Sequence, residues 1–363
     1  MRKTKTAWLS LFLVLGLIAA ACGDDDSAEA NDDGTDTTAA ADDDGGSDSL
    51  SGTLEGSGAS FPDAFYQAAI VAYEEATPGV TVIYNAVGSG QGKSDFADGL
   101  TAWAGTDSLV KEDEGLDPDE FLYIPTVAAP ITVSYNLSGV DELQLSPDTL
   151  GAIFNGDITS WDDEAIAADN PDVELPSTAI TLAVRADGSG TTSNFTKYLE
   201  KATGTWTLGS GDTIEWPSNA QAGQRNTGVA QIIQDTDGAI GYVDLADAEA
   251  LGLTYAAIGN QEGEFVVPTL EGTTAALDGA EIADDLTYDP LDAAGAEAYP
   301  IAAPTYVLVR TSYEDQATAD LVIDWITFLL TDAQDLAEDE LYAPLPDSLR
   351  DRALAQLDQI TVG

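Results

Sequence analysis

The run Val184-Arg185-Ala186-Asp187-Gly188-Ser189-Gly190-Thr191-Thr192-Ser193-Asn194 holds the residue types that anion binding needs. It follows an apolar, β-favouring stretch, Ala179 to Val184, and leads into Phe195-Thr196-Lys197-Tyr198-Leu199, which reads as helix. A strand, a Gly-rich turn and a helix that opens on small hydroxyl residues leave backbone N–H groups unpaired and aimed at one spot. The positive end of the helix dipole and the hydroxyls reinforce them. Arg185 adds a planar fork of donors suited to an oxyanion, and Asp187 is close enough in the chain to orient that fork. The same residues also suit an ordinary strand–turn–helix junction with a capping hydroxyl. Taken alone, the segment leaves both readings open.

Two further Gly/Ser turns precede helical patterns, at Ala59-Ser60-Phe61 and at Gly88-Ser89-Gly90. Several helix N-termini converging on one anion are the simplest use for three such turns, each supplying up to about 2 kcal/mol in a partly buried geometry. The elements around them alternate. An amphipathic helix is expected over 65–76, stopped by Pro78-Gly79, with Pro62 in its first turn. Strands are expected at 80–87, 127–136, 179–184, 239–243 and 305–309, with a short strand leading into the loop at 101–107. Further helices are expected at 321–330 and around 349–357. Alternating strands and helices predict an α/β protein with open sheets, whose ligands sit at the strand carboxyl ends.

Composition narrows the partners. The 363 residues carry 65 Asp+Glu against 12 Lys+Arg, a formal net charge of −53. Nucleic acid is excluded as a partner, because binding it requires a basic surface that displaces counterions. The acidity does not conflict with anion binding, since local donors decide and distant carboxylates are screened within about 8 Å at physiological salt. Histidine is absent and Cys22 is the one cysteine. That removes Ser-His-Asp and Cys-His catalysis, His-rich metal centres and any internal disulfide.

Residues 1–21 have the three-part form of a secretory signal, with Arg2, Lys3 and Lys5 before an apolar run and small residues at its end. Cys22 directly after them predicts a lipoprotein signal in which this cysteine is acylated. Ala19 stands where leucine is usual, so cleavage by an ordinary signal peptidase is the alternative. Residues 22–50, rich in Asp, Gly, Ser, Ala and Thr, read as a flexible acidic tether. Gly88-Ser89-Gly90-Gln91-Gly92-Lys93-Ser94 approaches a nucleotide-binding loop, but that pattern needs glycine at 87, where Val87 stands.

The chain resembles the phosphate-binding proteins of bacterial phosphate ABC transporters. The resemblance rests on Gly58-Ala59-Ser60-Phe61-Pro62, Gly88-Ser89-Gly90, Asp107 in Gly105-Thr106-Asp107, and Arg185-Ala186-Asp187-Gly188-Ser189-Gly190-Thr191. It continues through Trp161 to Ile166, Gly238 to Val243, Tyr299-Pro300-Ile301 and Leu345-Pro346-Asp347-Ser348. Ser60 replaces a common Thr and keeps the hydroxyl; Tyr299 stands where Trp is frequent. The resemblance implies a type II periplasmic-binding-protein fold, two α/β domains joined by two hinge strands. The first domain would comprise 51–127 and 300–363, the second 128–299. Inorganic phosphate would be held by Ser60, Phe61 (through its backbone N–H), Ser89 and Asp107 from one domain and by Arg185, Ser189, Gly190 and Thr191 from the other, with Asp187 holding the Arg185 fork. The implied protein is no enzyme and carries no metal or cofactor. It is an exported monomer, lipid-anchored outside the cytoplasmic membrane or periplasmic, that delivers phosphate to the membrane permease of an ABC importer.

Asp107 bears on which anion is taken. Phosphate near neutral pH still carries an O–H, which an ionised carboxylate accepts; sulfate carries none and would face the carboxylate as an unpaired oxyanion. Two alternatives use the same residues: an extracellular phosphate-ester hydrolase, and a receptor for another tetrahedral oxyanion such as sulfate or molybdate.

Overall fold

The computed structural model describes residues 50–363. The signal segment, Cys22 and the tether before Leu50 lie outside the described residues. A ten-stranded mixed sheet organises the chain, and eight of its strands form one path. In chain order these are β1 (Gly52–Gly58), β2 (Val80–Ala86), β3 (Trp103–Thr106), β4 (Phe121–Asn136), β5 (Thr181–Arg185), β6 (Ala220–Gly223), β7 (Ala239–Asp244) and β8 (Ala302–Arg310). Across the sheet they lie in the order β2-β1-β3-β8-β4-β7-β5-β6.

Pairing directions decide where a ligand can sit. β1, β2 and β3 are mutually parallel, and so are β5, β6 and β7. β8 is antiparallel to both β3 and β4, so β4 runs the same way as the first triplet. β7 is antiparallel to β4, so the second triplet runs the opposite way. The carboxyl ends of the two triplets therefore point at each other. All three Gly/Ser turns leave strands at those ends. β4 is shared: residues 121–130 pair with β8, and from Ile131 onward the partner is β7.

Each element follows from its residues. α1 (Asp63–Ala76) buries Phe65, Tyr66, Ala69, Ile70 and Tyr73 along one face and ends before Pro78-Gly79. β2 alternates, with Val80, Val82, Tyr84 and Ala86 inward and the residues between them outward, as a half-buried strand should. Trp103 stacks on Tyr84 at 5.0 Å beneath the first triplet, and Phe195 on Tyr242 at 4.5 Å beneath the second. α2 (Ser89–Ala97), α3 (Gly190–Ala202), α4 (Arg225–Asp235) and α5 (Gln316–Leu330) complete the elements that matter here.

The expected elements are present, with shifted limits. The strand expected from residue 127 starts at Phe121 and includes Pro125 and Pro130. Pro125 faces Tyr306 beside a register shift at Thr305/Tyr306, and Pro130 stands just before the change of partner. Both prolines are thus at irregularities in the ladder, where a missing N–H is tolerated. The helices at 147–155, 225–235, 245–250 and 270–277 were not foreseen. Among the described residues, no helix is long and apolar enough to cross a membrane.

Candidate functional site

The three Gly/Ser turns meet between the two strand triplets. Ser60 lies between β1 and α1, and its turn is held by the Tyr84 hydroxyl, which donates to the Ala59 carbonyl at 2.7 Å. Tyr342 donates to the Phe61 carbonyl at 2.6 Å, and the Phe61 ring is wholly buried. Ser89 opens α2 and Asp107 follows β3; the Ser89 hydroxyl donates to Asp107 Oδ2 and accepts from the Asp107 N–H, both at 3.3 Å. Opposite them, Arg185 ends β5 and Gly190-Thr191 open α3. The Ser189 hydroxyl caps that helix by accepting from the Thr192 N–H at 3.1 Å, which leaves its own hydrogen free to donate.

The two sides touch. Gly90 donates its N–H to the Gly188 carbonyl at 3.1 Å, and Asn194 on α3 donates to the Asp107 carbonyl at 2.6 Å. A Cβ at Gly190 would lie 2.7 Å from both Asp107 Cβ and Ser89 Oγ. Gly88 has φ +97°, and a Cβ there would stand 2.3 Å from Asp187 Oδ2. These glycines are what allows the helix ends to approach so closely.

Arg185 is fixed on three sides. Its Nε donates to Asp187 Oδ1 at 3.0 Å, Nη2 pairs with Asp187 Oδ2, and Nη1 donates to Asn226 Oδ1 at 2.7 Å. Of the five N–H donors of a guanidinium, three are used in this way and two remain.

The structure thus brings Ser60, Ser89, Asp107, Arg185, Ser189, Gly190 and Thr191 to one cleft, with Asp187 beside Arg185. Phe61 joins them only through its backbone, as the neighbour of Ser60.

Residues that the sequence reading missed hold these in place. Asn226, wholly buried, accepts from Arg185, donates to Asp244 Oδ2 at 2.6 Å and to Thr191 Oγ1 at 3.3 Å, and gives its backbone N–H to Ser60 Oγ at 3.3 Å. Since the Ser60 oxygen accepts there, its hydrogen is left for the cleft. Thr305 donates to Asp107 Oδ1 at 2.7 Å from the register shift in β8, an irregularity of the kind that re-aims a side chain. No spacing in the sequence marks Asn226 or Thr305: Asn226 reaches Asp244, Thr191, Arg185 and Ser60 across 18, 35, 41 and 166 residues of chain, and Thr305 reaches Asp107 across 198. α4, which carries Asn226, begins at Arg225 with φ +60° and its N–H on Asp187 Oδ1 at 2.9 Å.

Electrostatics are set by burial. Asp107 is pushed up to about 7, chiefly because it is desolvated, while Thr305, Arg185 and Ser89 pull it down. Asp244 and Asp247 are likewise raised by burial, Asp247 also by the charge of Asp244. Of Ser60, Ser89, Asp107, Arg185, Ser189, Gly190 and Thr191, Arg185 alone carries a guanidinium, and the helix N-termini and hydroxyls supply the other donors. Such a set can hold a tetrahedral oxyanion that keeps one proton for Asp107. Among the described residues, no group of three or more His, Cys, Asp and Glu could hold a metal ion.

An open α/β sheet with facing strand ends defines a solute-binding class, and comparison with known proteins agrees. Residues 38–333 match the model of the PBP superfamily domain. The phosphate-binding protein PstS of Xylella fastidiosa is 33% identical over 307 residues, covering 82% of each chain. The phosphate-binding protein PstS3 of Mycobacterium bovis is 32% identical and covers 95% of each. A high-affinity periplasmic phosphate-binding protein solved with phosphate at pH 8.5 superposes with a TM-score of 0.68 at 23% identity, over 84% of this chain and 93% of that one. The chain belongs to the PstS phosphate-binding proteins, within the PBP superfamily.

Proposed function

We propose that this protein captures inorganic phosphate outside the cytoplasmic membrane and hands it to an ABC permease. The observation that carries the reading is Asp107: a buried carboxylate beside Ser89, facing the start of α3, in a site otherwise built of donors. The relatives support it by name as phosphate-binding proteins, and a candidate phosphate ABC transporter substrate-binding protein from Clostridium perfringens with bound phosphate has a TM-score of 0.59. As these are binding proteins by name, no reaction is assigned to the cleft.

The two strand triplets are read as two lobes, 51–127 with 300–363 and 128–299, hinged where the chain crosses between them and closing on the ion. Phosphate is placed among Ser60, the Phe61 N–H, Ser89, Asp107, Arg185, Ser189, Gly190 and Thr191. The protein acts as a monomer, exported by its signal and held to the membrane through an acylated Cys22.

Calorimetry of ligand-stripped protein against phosphate and sulfate tests the reading. Tight phosphate binding with little or no heat from sulfate is expected, and comparable affinities would sink it. For the anchor, fatty-acid labelling lost in Cys22→Ser is expected; labelling that persists would refute it.

A further inference from the structure

The stretch Gly88 to Ser94, which approaches a nucleotide loop without its first glycine, contains a lysine that phosphate binding does not use. Lys93 lies four residues after Ser89 on α2, on the same helix face. It is completely buried, a costly position for an ammonium unless it is paired. Its Nζ contacts Asp212 Oδ2 at 3.0 Å, Glu114 Oε1 at 2.8 Å and Ser108 Oγ at 3.1 Å. Lys93, Ser108 and Glu114 belong to the side of the cleft that carries Asp107. Asp212 lies between α3 and β6, on the side that carries Arg185. The ion pair therefore crosses the cleft.

Both ends of this pair are tied to the anion site. Ser108 follows Asp107 in the chain and donates its hydroxyl to Asp212 Oδ2 at 3.0 Å. The Asp212 carbonyl accepts from the Ser189 N–H at 3.0 Å. Lys111, from the Asp107 side, reaches Asp212 Oδ1 at 3.5 Å. Burial raises the Asp212 carboxyl, but Lys93, Lys111 and Ser108 outweigh it and hold the group below the ordinary carboxylate range.

We propose that Lys93 and Asp212 form the latch of the closed clamp: a positioning pair that touches no ligand and slows phosphate release by holding the starts of α2 and α3 together. The proposal rests on the phosphate reading above. A contact present only in the closed state shifts the equilibrium toward closure, and phosphate cannot leave until that contact breaks. Its effect falls on the dissociation rate. Opening leaves Lys93 with Glu114 and Ser108, while Asp212 returns to water, so the pair can be broken and remade.

The test is stopped-flow release of inorganic phosphate from the full chain, Lys93→Met, Asp212→Asn and the double variant, with melting of each measured with and without phosphate. Each single variant should release phosphate at least about tenfold faster, and the double should be no faster than the faster single. Melting should fall more in the phosphate-bound form than in the ligand-free form. An unchanged release rate, additive effects in the double variant, or equal loss of stability with and without phosphate would each overturn the latch. If Lys93→Met does not fold, Asp212→Asn carries the same comparison. Failure of the unaltered protein to bind phosphate would overturn the functional reading itself, whereas normal binding with unaltered release in the variants overturns the latch alone.

Discussion

Above pH 7 the Asp107 carboxylate is ionised, with Thr305 and Ser89 occupying part of its acceptor capacity. A monoprotonated phosphate supplies one further proton and leaves no oxyanion facing it. A site built around such a proton can reject the analogue lacking it by about 10⁴-fold. Asp107→Asn should therefore narrow the phosphate–sulfate gap by at least about tenfold, since the amide can donate; calorimetry that finds the gap unchanged would refute this account. The pH dependence has the same origin. Asp107 has its folded pKa raised above the unfolded value, so its contribution to stability is present below about pH 4 and lost as pH rises through about 7. Below 7 the protonated carboxyl becomes a donor, and sulfate affinity should rise as pH falls; competition of sulfate against phosphate between pH 8 and pH 5.5 measures it. Arg185 has two N–H groups to spare, held in one plane by Asp187 and Asn226. Arg185→Lys should raise the phosphate dissociation constant by about 10- to 100-fold, through loss of the planar fork.

α2 and α3 contribute by where they begin. Their first turns lie against each other because Gly88, Gly90, Gly188 and Gly190 put backbone where other residues put Cβ. Gly190→Ala places a methyl 2.7 Å from Asp107 Cβ across the cleft, a clash that exists only when the sides meet. Phosphate affinity should fall by roughly 10- to 100-fold, the cost of overpacking by one methyl, while ligand-free melting changes little; a large fall in ligand-free melting would show that the contact persists without phosphate. The starts of both helices were legible because Gly and Ser cluster there. The start of α4 was not: its opening, Gln224-Arg225-Asn226-Thr227-Gly228, offers neither a side-chain cap nor an apolar stripe. Yet α4 delivers Asn226, whose removal in Asn226→Ala would take away the partner of Arg185 Nη1 and of Asp244 Oδ2, leaving Asp244 only the Asp247 N–H on its other oxygen. A loss of about 1–3 kcal/mol in unfolding free energy is expected from denaturant titration.

Across the whole molecule, β4 pairs first with β8 and then with β7, so one continuous strand joins the two strand triplets. Closure about such a crossing should reduce the radius of gyration when phosphate is added, as X-ray scattering would show; identical curves would argue against a clamp. The net charge of −53 spreads self-repulsion over the surface. Melting temperature should therefore rise as salt is added from low ionic strength, and salt-independent melting would mean that the charges are already too far apart to matter.

Local spacing and residue type were enough to read the three donor turns, the α/β alternation and the exclusion of histidine-dependent catalysis. Arg185 with Asp187, two residues apart, was readable for the same reason. Folding was needed to bring Asp107 against Ser89 and Thr305, to make Asn226 the join between Arg185, Asp244 and Ser60, and to set Lys93 on Asp212. Each of these joins parts of the chain brought together by sheet order, and no short-range pattern records which strands will become neighbours.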